Sequence, residues 1–252
     1  MAVSSSISAA PLVIAHRGGA HAAPENTIAA FQQGWKDGAD GAEGDFFLTR
    51  DGAVVCIHDR NTKKLADKEL DVMASSLKEL KRLDVGRKKG SKWAGERIPT
   101  LQEVIATVPE GKKLLIEIKD TERIVAPIKK VLDKGVLKPE QVVFIAFSGN
   151  VVAECKKQMP EIKAYWLFSE KTLAKDGVEH LLGIAKKVNA DGVDVQAGKK
   201  VDQAFVDAAR KAGLELHCWT VNDAKTAKRF RDLGFDSITT DRPALVREAL
   251  AR

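Results

Sequence analysis

The sequence lacks the segments that would place it in or across a membrane. No apolar run in its 252 residues approaches the roughly 18 that a membrane-spanning helix needs, and stretches such as Val142 to Phe147 are too short. The first basic side chains are His16 and Arg17, so the N-terminus lacks the basic region of a secretory signal. These absences predict no membrane span and a cytoplasmic protein.

Cysteine is scarce as well. Cys56, Cys155 and Cys218 lie far apart in the chain and form no CxxC pair. An odd number of cysteines at such spacing argues against a disulfide framework and against a thiolate zinc site. Each lies in an apolar segment, which predicts three packed thiols.

The composition also lacks the bias of disordered, collagenous or coiled-coil chains, because 44% hydrophobic and 30% charged residues are close to globular averages. The length is larger than that of a typical domain, but α/β barrels routinely fill about 250 residues as one domain. We therefore expect a single domain over residues 1–252.

The net charge of +6 is not spread over the chain. Residues 63–97 contain eleven Lys or Arg against six Asp or Glu, so nearly all of the excess lies in one segment. Lysine pairs elsewhere, such as Lys129 and Lys130, fall on predicted helical faces that also carry acids. This distribution argues against a nucleic-acid partner.

Eight short β-rich runs alternate with segments of helical periodicity. The runs begin near Leu12, Gly41, Lys113, Gln141, Lys163, Gly192, Glu215 and Ser237. The first helix is predicted from Asn26 to Asp37, and later ones begin near Leu101, Glu122, Gly149, Val178, Val201, Asn222 and Pro243. Eight such units predict a (β/α)8 TIM barrel. A doubly wound sheet is the alternative, but no glycine-rich phosphate fingerprint opens the first helix.

The spacing between the second and third runs, 72 residues, reveals an insertion. A turn at residues 50–52 and a short extra strand from Val54 to Ile57 precede residues 60–98, which include the basic segment. Loops that follow barrel strands lie at the C-terminal mouth. We expect the insertion to be a cap that gathers anionic substrates, the alternative being a solvated surface excursion.

Three carboxylates lie on strand faces that point into the predicted barrel. Glu43 and Asp45 share one face, and Glu117 shares a face with Lys119, because side chains alternate along a strand. Buried charges need compensation, and a hard divalent cation suits a cluster of oxygen ligands. The alternative is that the carboxylates pair with Arg17 and Lys119 or lie exposed at the rim, but three on inward faces favour a metal.

Two histidines also follow β-rich runs. His16 and His58 can approach each other across the barrel mouth, where one imidazole takes a proton while the other gives one. Asp59 orients either His58 or a local turn. His217 is predicted to lie inside the barrel, below Trp219.

Taken together, these residues form an ordered set of motifs. The set is His16-Arg17-Gly18, Pro24-Glu25-Asn26-Thr27, Glu43-x-Asp45, Thr49-x-Asp51-Gly52, His58-Asp59, Glu117-x-Lys119 and Trp219-Thr220-Val221-Asn222. It resembles the glycerophosphodiester phosphodiesterase family, in particular its small cytoplasmic members. The resemblance covers most of the chain and includes the long excursion after the second strand.

The resemblance implies a TIM barrel that hydrolyses glycerophosphodiesters to sn-glycerol 3-phosphate and an alcohol. It assigns metal binding to Glu43, Asp45 and Glu117, with Mg²⁺ as the usual ion and Ca²⁺ or Mn²⁺ as alternatives. It assigns acid and base roles to the two histidines, through a cyclic phosphate, and places Arg17 and Lys119 near the substrate phosphate.

Residues at the predicted rim are open to two interpretations each. Glu25 either reaches the metal or hydrogen-bonds backbone in its loop, and the second is favoured. Asn26 is most simply a helix N-cap. Trp219 is expected to form a wall for the glycerol carbons, and Phe147 and Asn222 are weaker candidates for the same rim.

Two competing functions follow from the same residues. One is a phospholipase D-like phosphodiesterase that acts on lysophospholipids, although proteins of that type are secreted and disulfide-bonded. The other is a non-catalytic barrel that binds anions or nucleic acid through its basic insertion. The presence of every catalytic-type histidine and carboxylate argues against the second.

Overall fold

The computed structural model of the protein describes residues 10–251, so residues 1–9 and 252 of the predicted domain lie outside the described part. The strands are β1 Leu12–Ala15, β2 Gly41–Leu48, β3 Val54–Cys56, β4 Lys113–Ile118, β5 Val142–Ala146, β6 Lys163–Phe168, β7 Gly192–Gln196, β8 Glu215–Trp219 and β9 Ser237–Thr240. The helices are α1 Ile28–Lys36, α2 Leu77–Leu80, α3 Leu101–Ile105, α4 Val125–Leu132, α5 Gly149–Gln158, α6 Glu170–Asp176, α7 Val178–Lys187, α8 Gln203–Lys211, α9 Ala224–Asp232 and α10 Pro243–Ala251.

Eight parallel strands close into a barrel. Their order is β1-β9-β8-β7-β6-β5-β4-β2, and β1 pairs with β2 to close the ring. In this ring Ile14 of β1 lies opposite both Gly41 of β2 and Thr239 of β9. The prediction of a (β/α)8 TIM barrel is confirmed, and each barrel strand begins within one residue of its predicted start.

Helices cover the outside of the barrel, and their apolar faces build the larger hydrophobic core. That core joins outward strand residues such as Phe46 and Phe144 to helix residues such as Phe31 and Phe205. A smaller apolar cluster fills the barrel interior: Ile14, Leu115, Val143, Ile145, Tyr165 and Leu167. Because this cluster fills the middle of the barrel, polar groups on inward faces are confined to its two ends.

The insertion follows β3, which pairs antiparallel with the end of β2. Its apolar side chains, including Val72, Leu80 and Ile98, pack on Phe47 and Val55 in a cluster of their own. The predicted strand Val54 to Ile57 is one residue shorter in the structure. The short helix α2 in the insertion and helix α6 after β6 were not predicted.

The first helix begins later than predicted, and its cap is a different residue. Thr27 precedes α1 and accepts a hydrogen bond from the Ala30 backbone N–H. The prediction that Asn26 is the N-cap is therefore wrong. Asn26 has a left-handed backbone, with φ of 57°, and its side chain bonds Asp45 instead.

Cys56, Cys155 and Cys218 are buried free thiols, as predicted. Among residues 10–251, no helix has both the length and the apolar character that crossing a bilayer requires.

Candidate active site

A tight turn after β1 brings the first functional residues into the barrel mouth. Arg17 adopts a left-handed backbone with φ of 51°, and Gly18 follows with φ of 82°. A Cβ atom on Gly18 would lie 2.6 Å from the backbone nitrogen of Phe31, so only glycine lets the turn approach α1 this closely. The turn directs the Arg17 backbone N–H to Glu43 Oε2, 2.8 Å away.

The three predicted carboxylates meet at the mouth. Glu43, Asp45 and Glu117 each offer an oxygen within 4.8 Å of the others, and all three side chains are buried. Among the described residues, Glu43 Oε1 and Asp45 Oδ1 have no hydrogen-bond partner. Burial, together with repulsion from Asp45 and Glu117, raises the pKa of Glu43 well above its ordinary value. Carboxylates held this close repel one another, and a bound cation would offset that repulsion.

Two cations flank the carboxylates. Lys119 Nζ lies 2.8 Å from Glu117 Oε1 and 3.7 Å from Asp45 Oδ1, while Arg17 Nε lies 3.5 Å from Asp45 Oδ2. Burial alone would lower the pKa of Lys119, but the carboxylates of Glu117 and Asp45 raise it. Both residues therefore stay charged beside the cluster and can face a phosphate.

Each candidate acid-base histidine is oriented by its own carboxylate. His16 Nδ1 lies 2.6 Å from Asp241 Oδ1, and His58 Nδ1 lies 2.7 Å from Asp59 Oδ1. Asp59 thus orients His58, one of the two possibilities considered from the sequence. Burial lowers the pKa of His58 despite the opposing charge of Asp45, so its imidazole is neutral near pH 7.

These side chains line a cavity of about 180 Å³. Seven of the eight predicted site residues line it: His16, Arg17, Glu43, His58, Glu117, Lys119 and Trp219. Asp45, the eighth, lies in the carboxylate cluster at its edge. The apolar walls include Ile145, Leu167 and Phe147, whose ring packs edge-on against Trp219 with centroids 5.6 Å apart.

Two aspartates of the site were missed in the sequence. Asp241 directly follows β9, so the same strand-end argument that found His16 could have found it. Asp194 lies in the apolar run of β7 and lines the cavity, but a single carboxylate in such a run gives no sequence signal of an inward position. Burial raises the pKa of Asp194 well above its ordinary value.

Two rim residues differ from expectation. Glu25 was expected to hydrogen-bond backbone in its loop. Instead its carboxylate accepts a hydrogen bond from Arg17 Nη1 at 2.9 Å, because the short loop between the two residues brings them together. Asn222 donates to Asp241 Oδ2 at 2.6 Å and accepts from the Asp241 backbone N–H, so it holds that aspartate. The weaker proposal that Asn222 contacts substrate is therefore replaced by a role in positioning.

The site combines a buried acidic triad that could bind a metal, two flanking cations and two oriented imidazoles. Such a set can bind an anionic phosphoryl group and move protons on either side of it.

The model of the glycerophosphoryl diester phosphodiesterase family matches residues 16–245. The chain belongs to this family. The match covers every element from the first site residue to the start of α10.

Individual members of the family agree with this assignment. The chain is 35% identical to a glycerophosphodiester phosphodiesterase of Caldanaerobacter subterraneus subsp. tengcongensis, over 92% of this chain and 94% of that protein. Its fold matches an Oleispira antarctica phosphodiesterase, solved with the product sn-glycerol-3-phosphate, with a TM-score of 0.87 and 28% identity. That alignment covers 96% of this chain and 98% of the other.

A glycerophosphodiester phosphodiesterase of Thermotoga maritima aligns with a TM-score of 0.78 and 26% identity, over 94% of this chain and 97% of the other. The chain is therefore an enzyme, a glycerophosphodiester phosphodiesterase, as the sequence predicted. Its substrate is a small molecule. The non-catalytic alternative is excluded.

Proposed function

We propose that the enzyme releases sn-glycerol 3-phosphate and an alcohol from glycerophosphodiesters, with a divalent cation and with His16 and His58 as the acid-base pair. The observation that carries the proposal is the juxtaposition, in one small cavity, of an acidic triad with two imidazoles that each have a carboxylate partner.

Glu43, Asp45 and Glu117 would hold the cation. Among the residues that the structure describes, Glu43 and Asp45 each have one oxygen without a hydrogen-bond partner, and the triad has no sulfur or nitrogen donor; this fits a hard ion, and we propose Mg²⁺. When bound, the ion stabilises negative charge that develops on the phosphoryl oxygens. Arg17 and Lys119 neutralise the remaining charge from the other sides.

The histidines move protons in two balanced steps. A hydroxyl of the glycerol moiety attacks phosphorus, so a new O–P bond forms while the bond to the leaving alcohol breaks. One histidine takes the hydroxyl proton, and the other gives its proton to the leaving oxygen. Water then opens the cyclic phosphate with these roles exchanged, which restores both protonation states.

The insertion contributes to the rim of the site. We propose that residues 60–98 cap the outer cavity through Lys64 and Leu65, which line a space of about 240 Å³ with His58 and Asp59. Lys64 Nζ lies 2.6 Å from Asp59 Oδ2. We expect Lys64→Gln to raise KM and to weaken its salt dependence, whereas the exposed neighbour Lys63→Gln changes neither.

Two other basic residues of the insertion, Lys88 and Lys89, are bonded to backbone carbonyls and do not line the outer cavity. Lys88 donates to the carbonyls of Lys63 and Ala66, and Lys89 donates to the carbonyl of Ala20. These bonds hold the insertion in place, so we assign substrate attraction to Lys64 first.

One assay tests the reaction and the ion together. Purified, EDTA-dialysed protein is incubated with glycerophosphocholine, glycerophosphoethanolamine or glycerophosphoglycerol, with Mg²⁺, Ca²⁺ or Mn²⁺ restored singly. We expect sn-glycerol 3-phosphate release that needs added ion and is restored best by Mg²⁺. Full activity without metal contradicts the proposal, and better restoration by another ion replaces Mg²⁺.

Two further substrates separate the alternatives. Glycerophosphocholine without its C2 hydroxyl should resist cleavage if that hydroxyl is the nucleophile, whereas normal turnover would indicate direct attack by water. Cleavage of lysophosphatidylcholine in preference to glycerophosphocholine would instead favour the phospholipase D-like reaction.

A further inference from the structure

Two buried polar side chains in the cavity have no part in the chemistry described above. Asp194 of β7 and Thr239 of β9 are 1% and 3% exposed and line the cavity with Trp219. Within residues 10–251, neither Asp194 Oδ1 nor Thr239 Oγ1 has a hydrogen-bond partner. Buried polar atoms without partners destabilise a fold, so they indicate groups that a ligand completes.

Neither side chain belongs to the metal cluster. The described carboxylates that approach within 4.8 Å of one another are Glu43, Asp45 and Glu117, and Asp194 is outside this group. Burial raises the pKa of Asp194, which favours the neutral carboxyl, a group that both donates and accepts. A hydroxyl has the complementary capacity, whereas a second cation does not.

Strand register places both groups deeper than the proton-transfer residues. Asp194 of β7 pairs with His217 of β8, which precedes Trp219 by two residues. Thr239 of β9 precedes Asp241, the partner of His16, by two residues. Two residues correspond to about 6.6 Å along a strand. Asp194 and Thr239 therefore form a polar floor one layer below the level of His16.

The substrate has one end that fits such a floor. In the proposed function Arg17 and Lys119 hold the phosphate above the floor, and from there the glycerol carbons would extend inward past Ile145, Leu167 and Trp219, which line the cavity. The Trp219 indole is fixed by donating to the Asp194 carbonyl at 3.2 Å. The terminal hydroxyl of glycerol is the group that can reach below the attacking C2 hydroxyl.

We propose that Asp194 and Thr239 bind the terminal hydroxyl of the glycerol moiety and so select glycerol phosphodiesters over diesters that lack it. The inference rests on the proposed function for the orientation of the phosphate. It adds a polyol subsite whose members act on specificity and touch neither the metal nor the phosphorus.

Binding of two phosphate monoesters tests the subsite without turnover. The probes are sn-glycerol 3-phosphate and 2-hydroxyethyl phosphate, which keeps one hydroxyl but lacks the terminal hydroxymethyl group. In calorimetry with Mg²⁺ present, we expect the wild type to bind glycerol 3-phosphate about 10-fold more tightly or better, because the shorter probe leaves the floor unpaired.

The variants then assign that preference to the two residues. Asp194→Ala and Thr239→Val should each reduce the affinity ratio several-fold, and the double variant should bring it close to one. Asp194→Asn should keep most of the ratio, because an amide still donates and accepts. Thermal unfolding identifies any variant that does not fold. If Asp194→Ala or Thr239→Val is lost in this way, the other single variant carries the test, with Asp194→Asn as the control.

Equal affinity of the wild type for the two probes would overturn the inference, as would an unchanged ratio in both single substitutions. If the variants lost affinity equally for both probes, the substitutions would have damaged the cavity in general, and this too would overturn the inference. If the enzyme is fully active without metal but still binds sn-glycerol 3-phosphate about 10-fold more tightly than 2-hydroxyethyl phosphate, the proposed mechanism is contradicted and the polyol subsite is supported.

Discussion

The two ends of the barrel bury ionisable side chains in opposite ways. At the N-terminal end, Glu215 pairs with Lys163, accepts from the Tyr165 hydroxyl at 2.7 Å and lies 3.7 Å from His217 Nε2. His217 in turn stacks on Tyr165, with ring centroids 3.9 Å apart, and its Nδ1 lies 2.6 Å from Ser237 Oγ. At the C-terminal end, three carboxylates face one another, and within residues 10–251 Glu43 Oε1 and Asp45 Oδ1 have no hydrogen-bond partner.

The pKa directions express this difference. Interactions with His217, then with Lys163 and Tyr165, lower the pKa of Glu215 against the effect of burial. Burial and neighbouring carboxylates raise the pKa of Glu43. A lowered carboxyl pKa means that ionisation stabilises the fold, and a raised one means that ionisation opposes it. Ionisation of Glu215 at one end of the barrel therefore stabilises the fold, and ionisation of Glu43 at the other end opposes it.

The largest expected effect comes from removing one charge of the triad. Glu43→Gln keeps the shape and can still accept from Arg17, but it loses a metal ligand, so kcat should fall about 10³-fold. In EDTA its thermal midpoint should equal or exceed that of the wild type, because repulsion is relieved. Added Mg²⁺ should raise the midpoint of the wild type and not that of the variant.

Glu179→Gln, on the exposed face of α7, is the matched control and should change neither quantity. If Glu43→Gln destabilised the metal-free protein by several degrees, the triad would be a structural network and the contrast between the two ends would fail.

The histidine pair should give the next largest effect. His16→Ala and His58→Ala should each lower kcat by at least about 10²-fold, the lower range for general acid-base catalysis, with the fold intact. His180→Ala, on the exposed surface of α7, removes an imidazole that lies outside the cavity and should leave kcat unchanged. Near wild-type kcat in either active-site variant would remove that residue from the mechanism.

A smaller effect is expected from the carboxylate behind His16. Asp241→Asn keeps the size of the side chain but removes the charge 2.6 Å from His16 Nδ1, and we expect kcat to fall about 10-fold. KM should change little, because Asp241 contacts His16 and does not line the inner cavity. A rise in KM with constant kcat would instead place Asp241 in substrate binding.

The barrel and most of the site could be predicted because their signals are local. Strand runs, their spacing and the alternation of side chains were enough to bring Glu43, Asp45 and Glu117 to one mouth. Polar residues at strand ends located His16 and Lys119 in the same way. These inferences need only the direction of each strand and the rule that its C-terminal end forms the mouth.

The remainder depends on contacts between distant segments. From the sequence Asn26 is interpreted as a helix cap, because its hydrogen bond to the distant Asp45 is not visible there. Glu25 is likewise interpreted as a loop residue that bonds backbone, because its contact with Arg17 appears only in the structure. Asp194 was hidden because one carboxylate in an apolar run has no periodic signal of its own. What marks it is that its Oδ1 has no hydrogen-bond partner within residues 10–251, which only the three-dimensional structure reveals.

The smallest expected effect on activity concerns the opposite end of the barrel. Glu215→Gln removes a charge that Lys163 and Tyr165 contact, far from the reacting groups, so kcat should stay within about 2-fold of the wild type. Loss of this charge should lower the free energy of unfolding by about 1–2 kcal/mol at pH 7, because the group is only partly buried. The thermal midpoint should fall by about 2–8 °C. Because the folded pKa of Glu215 is lowered, its contribution is complete above the unfolded value of about 4.3 and is lost progressively as the pH falls from that value through the folded pKa. Thermal unfolding of wild type and variant from pH 7 to pH 3 should therefore show a gap between the two curves that begins to narrow below about pH 4.3. A constant gap across this range would mean that packing, and not the charge of Glu215, stabilises the N-terminal end.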